Sequence, residues 1–250
     1  MTEKIDKYKV QAALVRSFFD AFSHGVIESQ MEDRNEKTTP QSVKKLMLEH
    51  YEHIAPAFFD TMFFPLAAMN YKYEDIAALA REAQQRGDDM MALVRTACGD
   101  EAYYNAMVEE YKRNFSMLLA GRYLSNADHL EGYVRKAKEE TEASVDSDRA
   151  IELTVRVVMF AYVRGLRQTG ENARSDRSAH LRQVHPLRGA TLFRLMLDAM
   201  NILLLDEAVD FADAEAADLA SLFLKVCQTQ HNFTVMTNEM DRTYSELMKE

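Results

Sequence analysis

Residues Leu219 to Leu247 read "LASLFLKVCQTQHNFTVMTNEMDRTYSEL", and apolar side chains return there at intervals of seven: Leu219, Val226, Phe233, Met240 and Leu247. Leu222, Phe223, Met236 and Tyr244 lie on the adjoining seam. A period near 3.5 belongs to a helix that buries one stripe, and the stretch predicts a C-terminal helix of about 30 residues. Gln230, Thr229 and Thr237 weaken the second seam position, so the pattern suits a bundle helix. A homodimer through this helix is the alternative use of the same spacing.

The same period runs outward through the rest of the chain, while alternation of period two with β-branched enrichment is missing, so no sheet is expected. The first helix is expected from Lys4 to Glu28, with Val10, Leu14, Val15, Phe18, Phe19 and Phe22 as its apolar stripe. Thr39 and Pro40 open a second, and Pro56 and Pro65 predict a kink or break around "AFFDTMFFP". Short helices stop at Gly87 and Gly99, the latter opened by Asp88 and Asp89. A longer one follows Asp100, and "SNAD" from Ser125 opens a charged helix that fades near Ser144. "VRVVMFAYV" is apolar nearly all round and belongs at the centre of a helix ended by Gly170. A core helix from Pro186 to Leu205 and an acidic connector precede the last helix. No internal repeat is evident. The expected fold is all-α: a single domain over 1–250, an irregular bundle of eight to ten helices, with a weak seam at 143–148.

Composition narrows the classes of function. The chain has 250 residues, 47% hydrophobic and 28% charged, with fifteen Met and a formal net charge of -10. That acidity argues against duplex DNA, which needs an extended basic face. The most apolar run, Leu192 to Leu205, contains Arg194, Asp198 and Asn201 and reads as a core helix, so no membrane is expected. The start lacks the apolar core of a signal peptide, and Cys98 and Cys227 stand far apart, which points to a reducing cytoplasmic setting.

Against the overall charge, residues 151–200 carry 8 basic and 4 acidic side chains, and between Glu139 and Leu224 there are nine arginines and no lysine. Arg156 follows Glu152, and Arg194 precedes Asp198, at i+4, the spacing of intrahelical pairs. The others, Arg164, Arg167, Arg174, Arg177, Arg182 and Arg188, flank one connection between two apolar helices. Planar guanidinium donors suit bidentate recognition of carboxylate or phosphate. The expected function is therefore a regulatory or interaction protein that takes an acidic protein surface or a small anionic ligand through this segment.

Two alternatives use histidine. In a helical enzyme acting on phosphate, His180 or His185 would be the acid, base or acceptor beside the arginines. His185, Leu187, Arg188, Gly189 and Ala190 form a pattern similar to that around the phospho-accepting histidine of phosphotransfer bundles, with Pro186 departing from it. Arg174 and His180 stand at a spacing that resembles the pair used by some all-helical ribonucleases. In a sensor, His50, His53 and Glu49 would hold a metal or haem-like tetrapyrrole, since Glu49 and His53 lie at i, i+4 on one helix. Paired Glu-x-x-His motifs, a glycine-rich phosphate loop and an Asp-Asp-x-x-Asp cluster are missing.

Overall fold

The architecture is that of a computed structural model, which describes residues 3–34, 40–120, 143–168, 177–205 and 219–249. Among them are ten helices and one two-stranded sheet. Strand β1 (Lys4–Asp6) precedes α1 (Lys7–Arg34), α2 (Pro40–Glu49), α3 (Tyr51–Asn70), α4 (Tyr73–Arg86), α5 (Met90–Ala97) and α6 (Glu101–Ala120). Strand β2 (Ser144–Asp146) precedes α7 (Ser147–Gln168), α8 (Arg177–Leu204), α9 (Leu219–Cys227) and α10 (Gln230–Leu247). The fold is all-α, as the periodicity requires.

Helices α1 and α7 form the centre and pack against each other along their length. The apolar stripe of α1 is fully buried, as are Val155, Val157 and Val158 of α7. At their crossing Gly25 meets Gly165. A Cβ on Gly25 would lie 2.8 Å from the Leu166 amide nitrogen, and one on Gly165 2.9 Å from that of Val26. Only glycine permits two backbones to approach so closely.

This crossing is the axis of an internal duplication that the side chains conceal. Moving 140 positions along the chain takes Ile5 to Val145, Arg16 to Arg156, Phe22 to Tyr162 and Gly25 to Gly165. The two strands pair antiparallel, Lys4 opposite Asp146 and Ile5 opposite Val145. Further along the offset is 129. It relates Cys98 to Cys227, both buried, and Gly99 (φ 74°) to Gln228 (φ 62°), both left-handed. It also relates Glu110, Arg113 and Asn114 of α6 to Glu239, Arg242 and Thr243 of α10. In each unit a buried glutamate is bound by the arginine three residues on, at 2.8 Å and 2.7 Å. A polar side chain four residues on reaches it at 2.5 Å and 3.1 Å. The central arginine faces the group, Arg16 through Asn114 at 3.4 Å and Arg156 on Glu239 at 3.4 Å.

Several expectations change. The first three residues of the anticipated first helix are a strand, which is too short to show alternation and pairs 140 residues away. Helix α3 passes unbroken through Pro56 and Pro65, because Ile54, Phe58, Phe59, Met62 and Leu66 are buried along it. The break falls instead at His50, between α2 and α3. The C-terminal heptads span two helices: Gln228 is left-handed, and Thr229 caps α10 by accepting from the Asn232 amide. Along them Val226, Met236 and Leu247 are buried within the chain, while Phe233 and Met240 are half-buried. Helix α8 begins at Arg177, well before Pro186. Gly87 and Asp89 terminate and cap α4 and α5 as their chemistry dictates. The charged helix after Ser125, the stop at Gly170 and the acidic connector lie outside the described residues. The seam at 143–148 is where the second unit begins.

Candidate functional site: a charged cluster between α1 and α8

Helix α1 is buried on almost every side, yet it carries Arg16, Asp20 and His24 at i, i+4 and i+8, on one face. The Arg16 side chain is 3% exposed, and its Nε donates to Asp20 Oδ2 at 3.0 Å. Its second donor turns to Asn114 Oδ1 of α6. Asn114, fully buried, donates to Glu110 Oε1, which also receives Arg113 at 2.8 Å. His24 Nδ1 lies 2.9 Å from the Asp20 carbonyl oxygen.

Helix α8 brings Asp198 against this row. Burial first and the Asp20 charge second push the Asp198 carboxyl up to about 6. Arg194, His24 and Arg16 oppose the shift. Asp20 is raised as well, by burial above all, against the pull of Arg16 and His24. Burial disfavours the charged form of both carboxyls, and a nearby like charge adds to that at Asp198.

The duplication supplies an internal control. At the positions of Asp20 and His24 the second unit has Phe160 and Arg164. Arg164 there makes an ion pair with Asp60 of α3. The Arg156 guanidinium lies over the rings of Phe64 and Phe160, at 5.2 and 5.5 Å, and donates to Glu246 at 2.8 Å. The equivalent stretch of α7 therefore folds without the charged row that α1 carries at Asp20 and His24. Buried ionisable groups with shifted proton affinity concentrate at functional sites.

Of the arginine segment, Arg164 is tied to Asp60 and Arg167 is half-buried near the end of α7. Arg177, Arg182 and Arg188 lie along the first half of α8, with His180 and His185 between them. Their side chains, and the whole of Arg174, lie outside the described residues. Arg156 does not pair with Glu152 as its spacing suggested. It reaches α10, while Glu152 takes Arg149 at 3.2 Å. Asp198 does feel Arg194, but its larger neighbour is Asp20 on another helix.

The expected metal or tetrapyrrole ligands lie around the break between α2 and α3. The His50 and His53 rings are 6.3 Å apart at α2 and α3, and Glu49 is paired with Lys45 at 3.9 Å. His50 is pushed towards the neutral form, by burial first and by His53 second. Among the described residues no group of three or more His, Cys, Asp or Glu is placed to hold a metal ion. None of the described helices is long and apolar enough to cross a membrane. No known protein family, curated protein or solved structure matches the chain.

The Asp20–Asp198 cluster was missed by reading α1 for its apolar stripe alone. The signal was present: charged residues at i, i+4 and i+8 of a helix whose other faces are apolar. Its partner on α8 carries no such signal.

Proposed function

We propose that this chain is a regulatory protein of the cytoplasm that binds a small anion, or an acidic patch of a partner, through the arginine-bearing half of α8. One observation carries the reading. Helix α8 runs unbroken for 28 residues, so Arg177, Arg182 and Arg188 share a rod with Leu195, Met196, Leu197, Met200 and Leu203, which are buried in the core. Such a rod is roughly 42 Å long at 1.5 Å per residue, so an anion bound near its start acts on a lever whose other end is packed against α1 and α7. Arginine without lysine favours planar oxyanions. Two buried, unpaired thiols, Cys98 and Cys227, suit a reducing compartment.

The test is thermal unfolding with sulfate, phosphate, nucleotides and short RNA at matched ionic strength. An anion at a hundred times its dissociation constant stabilises by about 2.7 kcal/mol, a rise of roughly 5–10 °C for a chain of this size. The rise is expected to vanish in Arg177→Ala/Arg182→Ala. If no anion raises the melting temperature of the unaltered protein, the reading fails.

A further inference from the structure

We infer that Lys7 is a carbonyl-capture site, whose side-chain amine takes the carbonyl group of a small aldehyde as a protonated imine.

The amine sits among the ends of three helices. Lys7 opens α1, Asn70 closes α3, and Tyr103 stands in the first turn of α6. Asn70 is fixed as an acceptor. Its Nδ2 donates to the Leu66 and Ala97 carbonyl oxygens, both at 2.9 Å, and its Oδ1 accepts from the Lys7 Nζ. The Lys7 Nζ also lies over the Tyr103 ring, 3.8 Å from the centroid. Gln11, one turn along α1, holds Tyr103 by donating to its carbonyl oxygen at 2.6 Å, and the Tyr8 ring packs on the Tyr103 ring at 4.4 Å. Lys7 is 8% exposed and Tyr103 is half-buried, so the amine lies just beneath the surface.

This is a poor place for an ammonium ion. Among the described residues no carboxylate forms an ion pair with Lys7. The neighbouring Asp6 caps the helix instead, accepting from the Tyr8 and Lys9 amides at 2.9 and 3.1 Å. A cation in the first turn also stands against the helix dipole. Burial lowers the proton affinity of the amine, while Cys98 and Asp100, at the junction of α5 and α6, pull the other way in smaller measure.

An ammonium ion has three N–H donors and finds one acceptor here among the described residues. A protonated imine has one N–H and keeps the positive charge. Asn70 answers that N–H, and the Tyr103 ring answers the charge. The step balances without a further reagent: the ammonium form and an aldehyde give the protonated imine and water. A C–N bond forms, the C–O bond breaks, and the oxygen leaves with two of the three ammonium protons. Desolvated lysines are the ones that serve as Schiff-base nucleophiles. In the second unit, "LAAMN" at Leu66–Asn70 recurs as "LDAMN" at Leu197–Asn201, and Ser147 and Asn232 stand for Lys7 and Tyr103. Asn232 there donates to the Cys227 carbonyl oxygen at 2.9 Å. The frame thus accepts a neutral residue at this position, which makes Lys7→Met a usable variant.

The experiment treats the unaltered protein with propionaldehyde and cyanoborohydride at pH 7. Initial rates of alkylation at each lysine are read by peptide mass spectrometry, in native buffer and in denaturant. Native Lys7 is expected to react roughly tenfold or more faster than the exposed Lys72 and Lys225, as befits a lysine activated by desolvation. The lead is expected to vanish in denaturant, and to narrow at pH 10.5, near the ordinary lysine pKa. The fast phase of total incorporation should be lost in Lys7→Met. A native Lys7 that reacts no faster than the exposed lysines overturns the site. A lead that persists in denaturant, or a fast phase that survives Lys7→Met, overturns it equally.

Discussion

Replacing Gly25 with alanine tests the crossing on which the architecture rests. The added Cβ would meet the backbone of α7, at 2.8 Å from the Leu166 nitrogen and 3.0 Å from the Gly165 Cα, with the Tyr162 carbonyl oxygen nearer still. Ordinary contact begins at 3.4 Å, and backbone cannot change rotamer to make room, so the two helices must move apart. Overpacking of this kind costs about 1–3 kcal/mol, and the rigid neighbours put this case at the upper end. Alanine returns about 1 kcal/mol of helix propensity. The expected net loss is about 2 kcal/mol, a fall of roughly 4–8 °C in melting temperature followed by circular dichroism at 222 nm. Gly165→Ala is expected to cost a similar amount, since its Cβ would meet the equivalent atoms of Phe22 and Val26. The double variant should cost less than the two together, because one separation serves both. A Gly25→Ala protein that melts at or above the unaltered temperature would refute the close approach of α1 and α7.

Two further outcomes follow from details of the second shell of packing. Gly87 and Gly99 are both left-handed, but a Cβ on Gly87 meets nothing within 4 Å, whereas one on Gly99 lies 3.1 Å from the Asn70 side chain. Gly87→Ala is expected to cost about 1–2 kcal/mol from its backbone alone, and Gly99→Ala measurably more in the same chemical denaturation; equal costs would show that Asn70 moves freely aside. Burial pushes the Cys98 thiol up to about 12 and the Cys227 thiol up to about 11. Neither should react with a thiol reagent at pH 8 in the native state, and both should react once denaturant is added; prompt native labelling would contradict their burial.

Helix caps and stops were legible because their chemistry is local. Asp89 accepts from the Ala92 amide at 2.8 Å, and Gly87 takes the left-handed conformation that ends α4. The prolines of α3 misled because a helix-breaking tendency of a few kcal/mol is outweighed when Phe58, Met62 and Leu66 are all buried. The duplication escaped notice for two reasons. The offset shifts from 140 to 129 between its parts, so no single period exists, and equivalent positions carry different chemistry, as Asp20 and Phe160 show. Half of the candidate site was readable in the i, i+4, i+8 row of α1. The other half was not, because nothing along the chain says that Asp198 of α8 packs near the Asp20 charge as well as near Arg194.

The antiparallel pairing of Lys4–Asp6 with Ser144–Asp146 has a consequence for synthesis. Closing a loop of that length adds little to the entropy cost beyond that of a shorter one, but it sets a waiting time. At 5–20 residues per second, a ribosome delivers the partner of α1 roughly seven to thirty seconds after α1 itself. Throughout that interval the face of α1 around Gly25 and the edge of β1 lack the partner that α7 and β2 supply. On a crowded polysome the nearest equivalent is the same face of a neighbouring nascent chain, so exchange between sister chains is the characteristic misassembly open to this topology.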